Sequence, residues 1–419
     1  MFTSIDQLKQ LDQEMTHHLH DELLSFWMNK TINPYFGGFV GRIDGNNQVH
    51  YDAPKGLILN ARILWSFSAA YRIFGKPEYL EMARISFNEL EERFWDTDHG
   101  GVYWMVNADG SINEAKKHSY AQAFAIYGYS EYYRITNDIK ALEKAIALFE
   151  LLNEHAYLAK DKAYYEAFSR EWEPLKDVRL SEKDALEFRS TNTHLHILEA
   201  YTNLYRVWDN PLLAQRLEEL IDVFDHIIFE PDTGFYYSFF DEQWNPKSNL
   251  YSFGHDIETS WLLSDAVALV GTPEQVERNK AIVTKVANTI YEQGLSDTGA
   301  LYNLGSEGTI IDTDHHWWAQ VEAMVGFVHA YSITQDERYI TATIRLWDFI
   351  NTYLLDKEFG EWFFRVNSVG IPYVVEDKVS EWKCPYHTTR ACLEIHARYM
   401  SIAEKAQKTK TPILQEDKE

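Results

Sequence analysis

Residues 96–104 read DTDHGGVYW, and this combination of a glycine turn with aromatic neighbours returns along the chain. The other copies are NPYFGGFV at 33–40, DTGFYYSFF at 232–240, DTGALYNLG at 297–305 and EFGEWFFRV at 358–366. Their glycines at 37, 100, 234, 299 and 360 lie 63, 134, 65 and 61 residues apart. The double step predicts one more copy that has lost its glycine, DKAYYEAF at 161–168, and therefore six units of about 65 residues.

Each copy is followed by a segment that is apolar nearly all round, which is typical of a helix buried on both sides. Between these segments lie amphipathic stretches such as residues 77–95 and 212–229. Each unit is therefore predicted to be an outer helix, a short turn or β-hairpin, and an inner helix. The inner helices are expected at 57–75, 119–135, 192–208, 254–270, 315–333 and 385–400.

The repeat predicts an all-α fold, an (α/α)6 barrel of six helical hairpins with short β-hairpins in the connecting loops. An open solenoid usually has atypical polar caps, but here the first and last units carry the same apolar inner helix as the middle ones. The chain has no Pro/Gly/Ser-rich linker. Residues 1–405 are therefore predicted to form one barrel domain, and residues 406–419 a poorly anchored tail.

The composition excludes several classes of partner. Thirty-nine basic against 64 acidic side chains give a net charge of −25, whereas nucleic acids and anionic membranes attract basic surfaces. The sequence has neither a secretory signal nor an apolar run of the roughly 18–20 residues that a membrane helix needs. Cys384 and Cys392 would stand about 12 Å apart on one helix, too far for a disulfide. We expect a cytoplasmic protein with reduced thiols and no nucleic-acid or membrane partner.

Polar residues gather at the starts of the inner helices, where a barrel otherwise needs apolar fillers. In a closed ring these starts converge on one mouth, and burying polar groups costs free energy unless they are paired or used. The pattern therefore indicates a small-molecule cavity. Its candidate residues are Arg62, Tyr120, Asn192, His194, His196, His255, Glu258, His315, His316, Trp317, Trp318, Glu322, Trp382, His387 and Arg390.

The spacing of these residues separates some of their roles. His255 and Glu258 lie three apart and share a helix face, so Glu258 is expected to orient His255; a pair that only fixes helix packing is the alternative. His194 and His196 lie two apart and point in different directions. His196 lies nine residues before Tyr205, just as Arg62 lies nine residues before Tyr71 in the first inner helix. This equivalence favours His196 as the cavity residue.

The last inner helix supplies a further histidine. Pro385 favours a helix start, so His387 falls in the first turn, where the helix dipole favours neutral imidazole. The alternative is a first-turn histidine that bonds a loop, and Arg390 either lines the cavity or holds a carboxylate of another helix. Three histidines on a polar N-terminal helix are expected to face solvent: His17, His18 and His20. The chain has no HExxH, CxxC, calcium-loop, P-loop or GxGxxG motif, so no metal or cofactor is expected.

Stretches of the inner helices resemble the N-acylglucosamine 2-epimerase superfamily, and within it the cellobiose 2-epimerases and mannose 2-epimerases most. These are ARILWSFSAAYR, SYAQAFAIYGYSEYY, NTHLHILEAYTNLYRVW, GHDIETSWLL, HHWWAQVEA and EWKCPYHTTRACLEI. The likeness runs from about Leu23 to Tyr399. It implies an (α/α)6 barrel and a cofactor-independent isomerase, which inverts C2 of a free or reducing-end aldose by ring opening and an enediolate.

The resemblance also implies roles for single residues. His255 and His387 resemble the acid/base pair that acts at C2. His196 resembles a histidine that helps to open the sugar ring and holds the enediolate oxygens together with Arg62. Tyr120, Asn192 and Glu258 match residues that position the substrate or a histidine, and Trp318 and Trp382 match aromatic walls. A monomer and a homodimer are both compatible with the sequence.

Three other functions stay open. The first is an aldose–ketose isomerase that makes fructose from mannose. The second is an inverting glycosidase, in which Glu258 and Glu322 would stand about 6.5–9.5 Å apart. The third is a non-catalytic helical scaffold, which leaves the polar helix starts unexplained. Residues 183–196 read KDALEFRSTNTHLH instead of the KDANEKKSMNTHLH expected of cellobiose 2-epimerases, which keeps free mannose and glucose as candidate substrates.

Overall fold

The computed structural model describes residues 3–181 and 185–410 of the chain. Its helices alternate between an outer and an inner layer, as the repeat predicts. The outer helices are α1 (Ser4–His17), α2 (Leu24–Lys30), α4 (Pro77–Glu89), α6 (Ile139–Leu151), α8 (Pro211–Val223), α10 (Pro273–Gln293) and α12 (Glu337–Phe349). The inner helices, called the inner ring below, are α3 (Leu57–Phe74), α5 (Ser119–Thr136), α7 (Thr191–Tyr205), α9 (Phe253–Val270), α11 (Trp317–Thr334) and α13 (Tyr386–Lys410).

Short strands and π-helical turns connect the two layers. The π-helical turns are His18–Leu23, Leu90–Phe94, Leu152–Ala156, Phe224–Ile228 and Ile350–Leu354. The strands pair antiparallel and are β1 (Arg42–Ile43), β2 (Val49–His50), β3 (Lys55–Gly56), β4 (Met105–Val106), β5 (Ile112–Glu114), β6 (Lys117–His118), β7 (Tyr157–Leu158), β8 (Ala163–Tyr164), β9 (Ala167–Phe168), β10 (Arg189–Ser190), β11 (Phe229–Glu230), β12 (Phe235–Tyr236), β13 (Phe239–Phe240), β14 (Leu250–Ser252), β15 (Leu304–Ser306), β16 (Thr309–Asp312), β17 (His315–His316) and β18 (Arg365–Val366).

The inner ring is closed. Each inner helix packs on the next one along the chain, and α13 packs back on α3. In α3, every residue from Leu57 to Ala70 is buried, so this helix has neighbours on both flanks and an outer helix, α4, behind it. A helix that is apolar all round requires such surroundings. The structure therefore confirms the predicted all-α (α/α)6 barrel.

In several inner helices the fourth residue holds the extended backbone that follows the preceding glycine turn. Gln122 of α5 accepts a hydrogen bond from the N–H of Val102 and donates one to its carbonyl oxygen, both at 2.9 Å. Gln320 of α11 binds Leu301 in the same way, at 2.7 and 2.9 Å. Asp256 stands at the corresponding position of α9. These contacts fix the loops around the starts of α5 and α11.

Buried lysines tie the glycine turns to the outer layer. Lys117 is fully buried, and its Nζ donates to the carboxylate of Asp96 at 2.9 Å and to the carbonyl oxygen of Gly100. An ammonium group in an apolar core needs such partners, because an isolated buried charge is very costly. Equivalent sets are Lys55 with Glu89 and the Gly37 carbonyl, and Lys378 with Asp356 and the Gly360 carbonyl.

The N-terminal helix is part of the barrel and not a solvated appendage. His18, predicted to face solvent, is 5% exposed, and its Nε2 accepts a hydrogen bond from the indole N–H of Trp362 at 2.8 Å. The prediction is wrong because α1 lies behind α13 and beside α12, as an outer helix of the closed ring.

The C-terminal region agrees in part with the sequence interpretation. Cys384 and Cys392 are both buried and form no disulfide. Helix α13 continues to Lys410, and the remainder of the predicted tail, residues 411–419, lies outside the described residues. Among the helices of the described ranges, none has the length and apolarity needed to span a bilayer.

Candidate active site

The starts of three inner helices, α7, α9 and α11, line a cleft of about 460 Å³. Asn192, His255 and Trp318, which come from three different inner helices, line it together. Its volume falls in the range of small-molecule sites. Other parts of the wall are Tyr237, Phe239, Leu250, Asn303 and Leu304. Residues 182–184, in the stretch that departs from the cellobiose 2-epimerase pattern, lie outside the described residues.

His255 is held at the start of α9 by the residue that caps this helix. Its Nδ1 lies 2.9 Å from Oγ of Ser252, and this Oγ also accepts the backbone N–H of His255. The imidazole contacts the Trp318 ring, with centroids 4.5 Å apart. Burial, and to a smaller extent the nearby positive charge of Arg62, lowers the pKa of His255 to about 4. The imidazole is therefore neutral at pH 7.

Glu258 does not orient His255, and that prediction is wrong. Its Oε1 accepts a hydrogen bond from Nη2 of Arg390 and lies 4.0 Å from Nδ1 of His387. His255 is in the first turn of α9 and bends back to the cap, whereas Glu258 lies nearly one turn further and points towards α13. Residues three apart on a helix can pair, but here each has a partner outside the pair.

His387 is oriented by a carboxylate of the neighbouring helix. Its Nδ1 lies 2.7 Å from Oε1 of Glu322 in α11, and its ring lies 5.6 Å from that of Trp318. Burial holds the pKa of His387 well below its ordinary value and raises the pKa of Glu322. His255 and His387 therefore both contact Trp318, and both are neutral bases in the resting protein.

Arg390 organises the carboxylates below the histidines. Its Nη2 donates to Oε1 of Glu258 and, at 2.6 Å, to Oε1 of Glu322, while Nη1 donates to Oε1 of Glu199. The guanidinium is 1% exposed. Of the two sequence alternatives for Arg390, the structure supports the one in which it holds carboxylates of other helices.

Sequence reasoning named Glu322 as a candidate cavity residue and as a possible glycosidase carboxylate, but missed its contact with His387. A signal was present, because the sixth residue of an inner helix is polar in several repeats. Arg62 in α3, His196 in α7, Glu258 in α9 and Glu322 in α11 all occupy this position. Together they form one buried layer below the cleft.

Arg62, Tyr120 and His196 lie together on the opposite side of the barrel from α11. Nη2 of Arg62 donates to Oη of Tyr120 at 2.8 Å, and the rings of Tyr120 and His196 are 5.0 Å apart. Nδ1 of His196 lies 2.8 Å from Oε2 of Glu199. The guanidinium of Arg62 also lies over the Phe124 ring, 4.2 Å from its centroid. This group offers hydrogen-bond donors and a cation to an anionic ligand.

His194 and Trp382 occupy different surroundings. Nε2 of His194 accepts the N–H of Tyr164 at 3.1 Å, and its Nδ1 donates to the carbonyl oxygen of Ser190 at 2.8 Å, so this histidine holds a strand as Gln122 and Gln320 do. Trp382 instead lies 6.2 Å from the Tyr120 ring and belongs to the group around Arg62.

The described residues contain one set of side chains close enough to share a metal ion. Glu258, Glu322 and His387 present ligand atoms within 4.8 Å of one another. Both carboxylates already accept hydrogen bonds from Arg390. The positive charge that a metal ion would contribute is therefore supplied by the guanidinium.

The two carboxylates are too close for the glycosidase alternative. Oε1 of Glu258 and Oε1 of Glu322 accept hydrogen bonds from the same nitrogen of Arg390, whereas an inverting glycosidase needs about 6.5–9.5 Å between its carboxyl groups for a water molecule. Both groups are fully buried. Their geometry contradicts this alternative.

The closed helical barrel therefore carries a neutral histidine, His255, on the wall of its cleft and a second neutral histidine, His387, against the same tryptophan. The chain belongs to the N-acylglucosamine 2-epimerase (GlcNAc 2-epimerase) family, whose sequence profile matches residues 37–391. It is accordingly an epimerase and not a scaffold.

Relatives over nearly the full length of the chain agree with this assignment. The cellobiose 2-epimerase of Bacteroides fragilis is 43% identical over 92% of this chain and 98% of its own, and that of Dictyoglomus turgidum is 36% identical over 93% and 99%. The solved structure of cellobiose 2-epimerase from Bacillus thermoamylovorans B4167 is 40% identical, with a TM-score of 0.90 over 93% of this chain and 100% of that chain. A D-mannose isomerase structure, 21% identical with a TM-score of 0.78, shares the fold.

Proposed function

We propose that this sugar 2-epimerase inverts C2 of the reducing-end aldose of a glucose disaccharide such as cellobiose, with His255 and His387 as the acid/base pair. The observation that carries the proposal is the contact of both imidazoles with Trp318 at the cleft. Identity of 36–43% to cellobiose 2-epimerases over more than nine-tenths of the chain supports the substrate.

The chemistry requires two bases. The proton on C2 of an aldose becomes acidic only after the ring opens and C1 becomes a carbonyl. One neutral imidazole then removes this proton and becomes an imidazolium, which later releases the proton to water. The second imidazole takes up a proton from water beside the enediolate and delivers it to the other face of C2, which inverts the centre and leaves that imidazole neutral again. General acid–base catalysis of this type contributes about 10²–10⁴-fold. His255 and His387 supply two bases from different helices.

Each imidazole is prepared for this exchange by a bond to its Nδ1. Ser252 binds Nδ1 of His255, and Glu322 binds Nδ1 of His387. A partner at one ring nitrogen fixes the ring orientation and makes the other nitrogen the reactive one. Nε2 is therefore the proton-exchanging atom of both residues. Glu322 also stabilises the imidazolium that His387 becomes after it takes a proton.

The enediolate needs positive charge close to its oxygens. Arg62 keeps its charge at any pH at which the protein is folded, and with Tyr120 it forms a donor group next to His196. Donors fixed before the reaction stabilise developing negative charge better than water does, because they need no reorganisation. Arg62 is the residue that binds O1 and O2, and Glu258 keeps Arg390 and His387 in place.

The outer cleft gives room for the second sugar. Tyr237, Phe239 and Leu250 line the same cleft as His255 and Trp318, and the two aromatic side chains among them present flat apolar surfaces to the C–H faces of a sugar. Asn192 lines the same cleft and offers its amide to a hydroxyl group of the sugar.

A measurement in D₂O tests the reaction and the substrate together. The enzyme is incubated with cellobiose, glucose and mannose separately, and the products are followed by NMR. We expect deuterium at C2 of recovered cellobiose and of its C2 epimer, with slower change of the free sugars. Deuterium at C1 with formation of a ketose would establish the aldose–ketose isomerase instead, and recovery of all three sugars without deuterium would overturn the proposal.

We also propose that the enzyme is cytoplasmic and works as a monomer or homodimer. The two buried free thiols of Cys384 and Cys392 support a reducing compartment. Size-exclusion chromatography with light scattering measures the assembly directly, and a particle larger than a dimer would contradict this part.

A further inference from the structure

Glu199 is a buried carboxylate on α7 that contacts His196 and not the cleft. It is 4% exposed and lies three residues after His196 on the same helix. Its Oε2 lies 2.8 Å from Nδ1 of His196. Its Oε1 accepts hydrogen bonds from Oη of Tyr386 and Nη1 of Arg390. Three groups on two helices therefore converge on one carboxylate.

These contacts require Glu199 to be ionised. Burial alone would favour the neutral acid, but the charge of Arg390 and the hydrogen bond of His196 hold the pKa of Glu199 well below its ordinary value. An ionised carboxylate has no proton to donate. The hydrogen on the bond between His196 and Glu199 therefore belongs to the imidazole, at Nδ1.

We propose that Glu199 is a positioning residue that holds His196 as the Nδ1–H tautomer, so that Nε2 of the resting imidazole accepts a proton from the substrate. Burial keeps the resting imidazole neutral, since it lowers the pKa of His196. A neutral imidazole with hydrogen at Nδ1 has a lone pair at Nε2 and cannot donate there. His196 thus starts the reaction as a base and not as a donor.

This inference rests on the proposed function and assigns the base to ring opening. Nε2 of His196 takes the proton from the anomeric hydroxyl O1, the O1–H electrons form the C1=O1 double bond, and the C1–O5 bond breaks. The resulting imidazolium, stabilised by Glu199, returns the proton to O5. One imidazole can serve both oxygens because both are attached to C1. The net result is transfer of one proton from O1 to O5.

The tautomer can be measured without any catalytic variant. Protein labelled with ¹⁵N-histidine gives ring nitrogen shifts in long-range ¹H–¹⁵N spectra, and the His196 signals are assigned by their loss in His196→Asn. We expect a protonated Nδ1 and an unprotonated Nε2 at pH 7. A protonated Nε2 in the wild-type protein overturns the inference, whatever the variants do.

Kinetics separate positioning from simple support of the fold. Glu199→Gln keeps the size of the side chain but can donate or accept at His196, so the tautomer is no longer fixed. We expect kcat to fall about 10²-fold or more, with KM changed less than about threefold. Ring opening then limits the rate, so the kinetic isotope effect of sugar deuterated at C2 should shrink towards 1.

Glu131→Gln is the matched control. Glu131 is 1% exposed, and its carboxylate binds Arg72 at 2.6 Å and Arg134 at 2.8 Å. This variant loses a buried ion pair of the same kind and should keep the wild-type kcat and isotope effect. If Glu199→Gln behaves like Glu131→Gln, Glu199 only supports the fold. If the wild-type enzyme exchanges no proton at C2, the proposed function fails, and the tautomer measurement still decides the role of Glu199.

Discussion

Asp256 in α9 and Gln320 in α11 occupy the same position of neighbouring inner helices, but only Gln320 has both an acceptor and a donor for the strand it holds. Gln320 binds both polar groups of Leu301. Asp256 accepts the N–H of Tyr236 at 3.4 Å through Oδ1, and its Oδ2 is buried without a hydrogen-bond partner. Oδ2 stands where a glutamine would place its NH₂ group. A protonated carboxyl can donate from that position, and an ionised one cannot.

The stability of the protein should therefore depend on the protonation of Asp256. Burial raises the pKa of Asp256 well above its ordinary value of 3.8. The unfolded chain releases this proton near pH 4, while the folded chain keeps it, so folding stability falls as pH rises above 4, by at most about 1.4 kcal/mol per pH unit for one group. We predict that Asp256→Asn is more stable than the wild type at pH 7 and that the difference vanishes near pH 4, measured by urea unfolding.

The reciprocal change is the control for this prediction. Gln320→Glu introduces the same carboxyl at the equivalent position and should be destabilising at pH 7 and less so at pH 4. A destabilising Asp256→Asn at pH 7, or a difference that does not depend on pH, would contradict the assignment of a neutral Asp256.

Replacement of either proton-exchanging histidine should abolish turnover and preserve the binding of the sugar. His255→Asn and His387→Asn should each lower kcat by about 10²–10⁴-fold, because asparagine cannot take up a proton, while the dissociation constant of cellobiose measured by calorimetry stays within about threefold. The control is His194→Gln, since glutamine holds the strand at this position in α5 and α11. Near-normal turnover of His387→Asn would show that another group is the base.

The activity should persist into mildly acidic solution. Burial lowers the pKa of His255 to about 4, so the neutral imidazole is the main form above that pH and is lost as pH falls through about 4. The kcat/KM profile reports the free enzyme, and we predict an acidic limit well below the ordinary histidine value of 6.5. Enzyme returned from each pH to neutral must regain activity, so that unfolding is excluded. An acidic limit near 6.5 would mean that the surroundings of His255 do not lower its pKa.

The buried lysine pairs should contribute more to stability than the exposed ones. Lys117→Met leaves Asp96 buried with Arg170 as its remaining cation and should lower the free energy of unfolding by about 3–5 kcal/mol. Lys140, 57% exposed and paired with Glu91, is the comparison, and Lys140→Met should cost about 1 kcal/mol or less. Equal losses in urea unfolding would show that the glycine turns do not depend on these lysines.

The outer cleft should contribute to the binding of a disaccharide but not to that of a monosaccharide. Phe239 lines the same cleft as Trp318, and Phe239→Ala removes a flat surface that a second sugar can cover. We predict that KM for cellobiose rises about tenfold, as expected for the loss of about 1.4 kcal/mol, whereas KM for free glucose is unchanged. An equal rise for both sugars would place Phe239 next to the reducing end.

The sequence predicted the ring but not all the contacts inside it. The glycine repeat was sufficient for the barrel, because each turn precedes one inner helix. The spacing to Tyr205 favoured His196 over His194 as the cavity residue. The structure shows that His194 holds a strand, and the cavity role of His196 stays a prediction. Pairings between helices were not predictable in the same way. Glu322 reaches His387 only because α11 and α13 lie side by side, and no local spacing records that distance.

The prediction that residues three apart on a helix pair with each other was wrong for His255 and Glu258. The spacing of three favoured a bond between His255 and Glu258, but the cap residue Ser252 is nearer to the first-turn imidazole. Glu258 is then left for Arg390, which is 132 positions away in the chain. Ion pairs between residues so distant in the chain depend on how the closed ring arranges its helices. They could therefore not be predicted before the structure of the ring was known.

The packing of α13 on α3 has a consequence for biosynthesis. His387 and Arg390 are carried by the helix that is translated last among those described, and this helix fills the gap between α3 and α11. When only the residues before 386 have left the ribosome, the inner ring is open and the apolar flanks of α3 and α11 are exposed. Three buried carboxylates, those of Glu199, Glu258 and Glu322, then lack the guanidinium of Arg390. The nascent protein can therefore acquire activity only after α13 has left the ribosome, and until then the open flanks of α3 and α11 are the surfaces that a chaperone would have to cover.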